Sequence, residues 1–328
     1  MRTHVFAPLL ALAPLVGVGV AACTGPAAPS ADVPAAAPDP VAVASAQQRH
    51  PHVDLTPLPA VHRGIGAYDP EPTCPGDLAL GVGERLAAST GGPDLGLSVT
   101  PDELSAAWMT EHGGAVTIHY VDRAKSTDAF GAARAVTGAF EPGRIALSSD
   151  GNDLAVVDSG GLGFSVLRRS ERSEAFGEPE VGPFELLDAQ GKDELGPAGD
   201  HYADPLFANG DRYFIFSRVS PSGSGTVLLG SRFFAAAPFS PGVPFSQEAL
   251  APTGSRRKSV TGASVDVRTL FVWDEAASRS IVVRLTAPGA IESTTALGAA
   301  RDVQPTADCH VFWFTSGSPS VVRRFAAP

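Results

Sequence analysis

The sequence predicts an all-β fold, a β-propeller of about five to six blades, and three observations support this prediction. A phrase that joins an Arg to a Phe recurs along the chain. A tight-turn signal followed by a short apolar run also recurs, and no long helical pattern lies between the copies. All-β units that repeat every ~40 to 60 residues are typical of four-stranded blades around a central channel.

The first phrase places an Arg seven positions before a Phe. Its clearest copies are Val121–Ala133, which reads VDRAKSTDAFGAA, and Leu167–Pro179, which reads LRRSERSEAFGEP. A looser copy lies at Ser231–Gly242. The three pairs are Arg123 and Phe130, Arg169 and Phe176, and Arg232 and Phe239. A degenerate fourth copy has Arg284 and Ile291, and a fifth begins at Val321–Arg324.

Repeated side chains in a repeat protein usually serve packing. We therefore expect each Phe of the first phrase to be a buried plug between neighbouring sheets. We expect each Arg to brace a carboxylate or carbonyl group at a blade edge. The alternative interpretation is that the Arg side chains line a ring that binds an anionic ligand.

The second phrase is a turn signal followed by a run rich in Val, Phe, Trp and Tyr, a composition that favours β-strands. Asp-Gly and Asn-Gly pairs at Asp150 and Asn209 suit such turns, because these residue types accept positive φ. The turn anchors are Asp102, Asp150, Asn209, Asp266 and Asp308, at intervals of 48, 59, 57 and 42 residues. Each unit is therefore predicted to be a small antiparallel sheet.

Together the two phrases resemble the WD40-like, TolB-type propeller repeat, also called the PD40 repeat. The copy most similar to that repeat is Leu147–Pro179, and the resemblance covers roughly residues 95 to 328. It implies the architecture and no particular activity. The chain departs from the pattern where Cys309 takes the place of the turn Gly, where Asn209 replaces the Asp, and where the fourth unit lacks the Phe.

The N-terminus has the features of an export signal. An apolar run at Val5–Val20 follows a short basic segment, and the tetrapeptide Val20-Ala21-Ala22-Cys23 resembles the lipobox of bacterial lipoproteins. The resemblance implies that cleavage leaves Cys23 first and that this residue carries the acyl chains. The alternative is an ordinary secretory signal with a chance Cys.

These features predict three regions: a lipoprotein signal peptide at 1–22, a disordered Ala- and Pro-rich tether at 23–73, and a propeller domain at 74–328. The expected location is the cell envelope, on the outer membrane, facing the periplasm or the cell surface. The expected partners are the membrane, through the anchor at Cys23, and an envelope protein or glycan. The formal net charge of −11 argues against nucleic acid.

Two further expectations concern closure of the ring. The last unit lacks an outer strand, which the segment Asp77–Ala88 is placed to supply. With Cys23 lipidated, Cys74 and Cys309 remain, one near each end of the domain. Oxidising conditions outside the cytosol favour a disulfide between them. The alternative is a pair of unpaired buried thiols.

The sequence predicts no catalytic residues, no metal site and no cofactor, because it contains none of the short motifs of hydrolases, zinc proteases or nucleotide-binding loops. Two classes of function remain. The first is a non-catalytic scaffold that binds a protein or glycan. The second is a hydrolase or lyase of sugars or peptides that uses acids gathered in the central channel. The first is favoured, since no acidic group other than the turn Asp recurs at matched positions.

Overall fold

The computed structural model of the chain describes most of the propeller domain. The predicted signal peptide, Cys23 and the predicted tether lie outside the described residues. The described positions are 74, 78–89, 93–181, 199–232, 237, 239, 242–244, 250, 258–287 and 290–327. In these ranges no helix is long and apolar enough to cross a membrane.

The described residues form twenty strands in five antiparallel four-stranded sheets, which confirms the all-β propeller and sets the number of blades at five. The first blade contains β2 (Asp94–Val99), β3 (Ser105–His112), β4 (Ala115–Asp122) and β5 (Arg134–Thr137). The second contains β6 (Ala146–Leu147), β7 (Asp153–Val157), β8 (Phe164–Arg168) and β9 (Glu180–Val181). The third contains β10 (His201–Ala208), β11 (Tyr213–Val219), β12 (Gly225–Ser231) and β13 (Val243–Pro244). The fourth contains β14 (Lys258–Ala263), β15 (Thr269–Asp274), β16 (Arg279–Ala287) and β17 (Ala290–Gly298). The fifth contains β18 (Arg301–Pro305), β19 (Val311–Ser316), β20 (Val321–Ala326) and, at its outer edge, β1 (Glu84–Arg85).

The hydrophobic core lies between adjacent blades. Phe164 of the second blade packs edge-on against Phe214 of the third, with ring centroids 5.2 Å apart. Packing on both faces explains why the sequence of strand β19 is almost continuously apolar. Its Phe312 belongs to the cluster shared with the fourth blade, while Trp313 belongs to the cluster shared with the first. Both faces of a central strand are therefore buried, because successive side chains point to opposite sides of the sheet.

The turn between the first and second strands has the same hydrogen bonds in four blades. The Asp side chain accepts from a Ser or Thr two positions earlier and from a backbone N–H two positions later, as at Thr100, Asp102 and Leu104, at 2.6 and 3.0 Å. The equivalent carboxylates belong to Asp102, Asp150, Asp266 and Asp308. A local carboxylate of this kind satisfies backbone donors that the turn would otherwise leave open. We call the propeller face that carries these turns the turn face.

The anchor predicted in the third blade is wrong by one residue. The backbone N–H of Arg169 bonds to the carbonyl of Asn152, and the N–H of Arg232 bonds to that of Arg212. These bonds make Arg212 equivalent to Asn152, so Gly210 rather than Asn209 occupies the Asp position. Residues 209, 210 and 211 all have positive φ, at 51°, 56° and 64°, and this turn is held by its backbone instead of a carboxylate.

The ring is closed by residues from the two ends of the domain. Strand β1 pairs with β20, with Glu84 opposite Arg324, which confirms that the segment Asp77–Ala88 supplies the missing outer strand. Beside it, Cys74 and Cys309 form the expected disulfide and are 2% and 0% exposed. The covalent bond and the strand pairing therefore fasten the same two ends together.

Replacing Cys74 with Ser should lower the thermal unfolding midpoint by roughly 10–20 °C. The crosslink joins residues 235 positions apart. A loop of that size corresponds to about 5 kcal/mol by chain entropy, and 1 kcal/mol shifts the midpoint of a domain this large by about 2–4 °C. Scanning calorimetry without reductant measures the shift, and dithiothreitol should reproduce it in the unmodified protein.

A double variant tests the backbone contribution at the same place. Cys309 has φ of 56°. The variant Cys74→Ser/Cys309→Gly should therefore unfold a few degrees above Cys74→Ser/Cys309→Ala, because both lack the thiol and only Gly adopts the left-handed region without a ~1 kcal/mol steric cost. An unchanged midpoint in Cys74→Ser alone would contradict a stabilising role for the disulfide.

Candidate functional site

The Arg and Phe of the recurring phrase lie against each other at the turn face. The guanidinium carbons of Arg123, Arg169 and Arg232 lie 4.3, 4.5 and 4.5 Å from the ring centroids of Phe130, Phe176 and Phe239. The Nε of each Arg donates to a carbonyl of the turn in its own blade, at 2.6, 2.9 and 2.6 Å. Each guanidinium is thus held between a turn and a ring, a geometry that suits packing better than capture of an anion.

The degenerate copies of the phrase have different partners. Arg284 of the fourth blade donates to the carbonyl of Cys74 at 2.7 Å. Arg324 of the fifth blade donates to the carboxylate of Glu103 in the first, at 2.9 and 3.2 Å. Both therefore brace the junction where the ring closes.

One turn position connects its blade to a neighbouring blade or, in the fifth blade, to the segment before β1, and we call it the linking position. It follows the Asp of the turn, has positive φ in all five blades, and is occupied by Glu103, Gly151, Asp211, Val267 and Cys309. Glu103 accepts from Trp313 Nε1 of the fifth blade at 2.8 Å, while Cys309 forms the disulfide. At Gly151 a Cβ would approach Ser105 Oγ of the first blade to 2.7 Å, so a larger residue would have to displace that side chain.

A buried ion pair crosses the central channel. Arg144, just before β6 and 5% exposed, reaches from the second blade to the Asp302 carboxylate of the fifth. Its Nη2 also donates to the carbonyl of Thr261 in the fourth blade at 2.6 Å. Asp302 additionally accepts from Thr315 Oγ1 at 3.0 Å. One side chain therefore ties three of the five blades together across the axis.

The other polar groups of the inner strands bond to neighbouring blades. Gln304 of β18 donates to the carbonyl of Leu97 and accepts from the N–H of Val99, both at 2.8 Å. Ser259 donates to the Asp204 carboxylate at 2.8 Å. Two acids and one Arg thus lie on or beside the inner strands, and their hydrogen bonds join the blades.

Arg144, Asp204 and Asp302 belong to neither recurring phrase and were not predicted from the sequence. The acids occupy the same place in two inner strands, four residues before the first residue of the turn. Both lie at β-bulges and have positive φ, at 56° and 52°. Counting back from the first turn residue of each unit would have revealed this position. Comparison of the two recurring phrases did not include it.

A pocket of about 50 Å³ remains where the channel opens on the turn face. All five blades contribute to it, and its single charged lining residue is Asp211. The carboxylate of Asp211 accepts from the N–H of Ser149 at 2.8 and 3.0 Å and from its hydroxyl at 2.8 Å. Burial raises the pKa of Asp211 to about 6, aided by the charge of Asp150, while the Ser149 hydrogen bonds and the charge of Arg232 oppose the shift.

Elsewhere, burial lowers the pKa of His119, which stacks on Trp108 with ring centroids 5.7 Å apart, away from the channel mouth. Within the described ranges, no three His, Cys, Asp or Glu side chains lie close enough together to hold a metal ion.

Arg144→Leu should reduce the free energy of unfolding by about 3–5 kcal/mol, because it leaves the Asp302 carboxylate buried without its cation. The double variant Arg144→Leu/Asp302→Leu should recover much of this loss. Urea unfolding measures both values. Arg168→Leu is the matched control, since its pairs with Glu180 and Asp153 involve partly exposed side chains and such pairs contribute about 0–1 kcal/mol each. Additive effects of the two channel substitutions would contradict a coupled pair.

Asp211→Asn should stabilise the protein above about pH 7 and have little effect near pH 4. A carboxyl group whose pKa is raised in the folded state lowers the free energy of unfolding once the pH rises above its unfolded-state pKa. The full loss is reached when the pH exceeds its folded-state pKa. A rise from 3.8 to about 6 corresponds to about 3 kcal/mol. Urea unfolding at both pH values measures the difference. The exposed acid Glu292 provides the control Glu292→Gln, and an Asp211→Asn effect equal at both pH values would exclude this explanation.

No family model matches the chain, and no curated protein matches it. Solved structures with a similar fold include TolB from Acinetobacter baumannii, at 11% identity over 72% of this chain and 52% of that one, with a TM-score of 0.43. The periplasmic gluconolactonase PpgL from Pseudomonas aeruginosa is 15% identical over 68% of this chain and 64% of its own, with a TM-score of 0.39. Regucalcin, a calcium-binding protein from Agrobacterium tumefaciens, is 14% identical over 76% of this chain and 79% of its own, with a TM-score of 0.41. The chain spans about half the length of TolB and under two thirds of PpgL, and these similarities concern the fold alone.

Proposed function

We propose that the protein is a non-catalytic binding module of the bacterial cell envelope. In this proposal a lipid on Cys23 anchors the chain to the membrane, and the propeller offers its surface to an envelope protein or glycan. The observation that supports it most is the ion pair between Arg144 and Asp302, which closes the channel.

A closed channel disfavours the alternative of a hydrolase or lyase. Sites for small molecules are typically about 300–1,000 Å³. The axial pocket measures about 50 Å³. A catalytic acid or base must also reach its substrate directly or through one water. Asp302 and Asp204 lie deeper in the channel and are hydrogen-bonded to other blades.

The face opposite the turn face is the better binding surface. Its hairpins between second and third strands consist mainly of small residues, as in the sequence SGGLG at 159–163 and the sequence SPSGS at 220–224. Leu162 is 64% exposed there. Small polar residues on a rigid support adapt their hydrogen bonds to a partner at low entropic cost. The disulfide at Cys309 holds Cys74, at the N-terminal end of the domain, on the side of the turn face.

Site-specific photocrosslinking in cells tests this proposal. A photoreactive residue is placed at one of three exposed positions on the opposite face, 115, 222 and 277, or at one of two on the turn face, 126 and 173. We expect the stronger adduct of the full-length protein to come from the opposite face. Mass spectrometry identifies a protein partner, and digestion with glycan hydrolases identifies a glycan.

The matched control for the anchor is Cys23→Ala, which should lose membrane association and weaken the adduct. Adducts from neither face, with the protein folded and exported, would refute the binding module. Adducts from the turn face only would keep the function and overturn the choice of surface.

A further inference from the structure

The axial pocket has apolar walls and one ionisable group. Partly exposed Phe207 and Val265 line it together with Pro101 and Pro305. The polar lining residue Gln304 is already hydrogen-bonded to the backbone of Leu97 and Val99. An entering molecule therefore meets hydrocarbon on several sides and a carboxylate, that of Asp211, on another.

Asp211 carries a charge that its surroundings do not neutralise. It is 9% exposed, and the ion pairs between described residues do not include it. Arg232 attracts it from a distance, but the Nε of that residue donates to the backbone carbonyl of Asp211 at 2.6 Å. Asp150 repels it. A buried carboxylate in this situation is stabilised by any cation that reaches it.

The hydrogen bonds of Asp211 restrict the shape of that cation. A carboxylate has about four acceptor sites. The N–H and hydroxyl of Ser149 use three of them, two on Oδ2 and one on Oδ1. One site on Oδ1 remains among these contacts. A single site suits a compact ammonium group, whereas a guanidinium needs two parallel acceptors for its fork.

We propose that the axial pocket binds a primary alkylammonium group, with its nitrogen on the Asp211 carboxylate and its carbon chain against Phe207 and Val265. The volume of about 50 Å³ holds roughly four water-sized groups, which matches the end of an aminoalkyl chain. The same chemistry occurs in the lysine side chain of a polypeptide and in a free aliphatic amine. This inference goes beyond the proposed function, because an amine binds here whatever the opposite face contacts.

Saturation-transfer NMR on the full-length protein in a non-ionic detergent tests the site. The probes are n-butylamine, its neutral analogue n-butanol, and N-acetyl-lysine methylamide. We expect butylamine to bind at least fivefold more tightly than butanol at pH 7.5. We also expect about tenfold weaker amine binding at pH 5, because a carboxyl group of pKa about 6 is then ~90% protonated. Butanol should show no such dependence on pH.

Three variants make the test specific. Asp211→Asn should abolish the preference for the amine and its pH dependence, while the control Glu292→Gln should leave both unchanged. Ala263→Leu fills the pocket without touching the carboxylate and should weaken binding of the amine at least fivefold. The thermal midpoint of each variant verifies that it is folded.

Equal affinities in Asp211→Asn and the unmodified protein would overturn the proposal, as would pH-independent binding or no saturation transfer to butylamine. Tighter binding of the lysine derivative than of butylamine would indicate a polypeptide source, and the reverse order a free amine. Failure here would leave the photocrosslinking result on the opposite face unaffected, so the two proposals fail separately.

Discussion

Contact between the first and the fifth blade is the constraint on which the rest of the structure depends. Every blade buries both faces, so an open ring would expose two complete apolar surfaces to water. The closing interface brings together Trp108, Trp313 and Leu97, all nearly inaccessible to solvent. Its position is fixed by the pairing of β1 with β20 and by the disulfide between Cys74 and Cys309. The interblade packing elsewhere persists because the ends cannot separate.

The linking position shows how one backbone geometry supports different chemistry. All five residues at this position have a left-handed backbone. Their contacts differ: Glu103 forms a salt bridge, Gly151 packs closely, Asp211 accepts hydrogen bonds, Val267 makes apolar contacts and Cys309 forms the disulfide. The strongest links both involve the fifth blade, since Glu103 joins it to the first blade and Cys309 joins it to the segment that precedes β1. The acid at position 211 is the exception, because burial costs free energy that Ser149 only partly offsets.

The recurring phrases were sufficient to predict the propeller and four turn carboxylates, the incomplete last unit predicted the closing strand, and the two remaining Cys residues predicted the disulfide. Each of these depends on local spacing or on a rare residue type. The channel was not predictable in the same way. Arg144 acts through Asp302, 158 residues away, and that pairing is set by the radius of a five-blade ring. Asp211 likewise has an ordinary sequence context, since Gly and Asp are common in turns. Its importance comes from Ser149 in another blade and from the narrow mouth of the channel.

The outer strand that completes the fifth blade comes from the opposite end of the domain, and this arrangement has a consequence for biogenesis. Cys74 and β1 leave the ribosome long before Cys309 and β20, since the disulfide joins positions 235 residues apart. Contacts of such long range form slowly, because loop-closure entropy opposes them until much of the chain has collapsed. The domain therefore cannot complete its fold while any part of the last blade is unsynthesised. A nascent chain of this kind stays incompletely folded, with apolar blade surfaces exposed, until β20 has emerged.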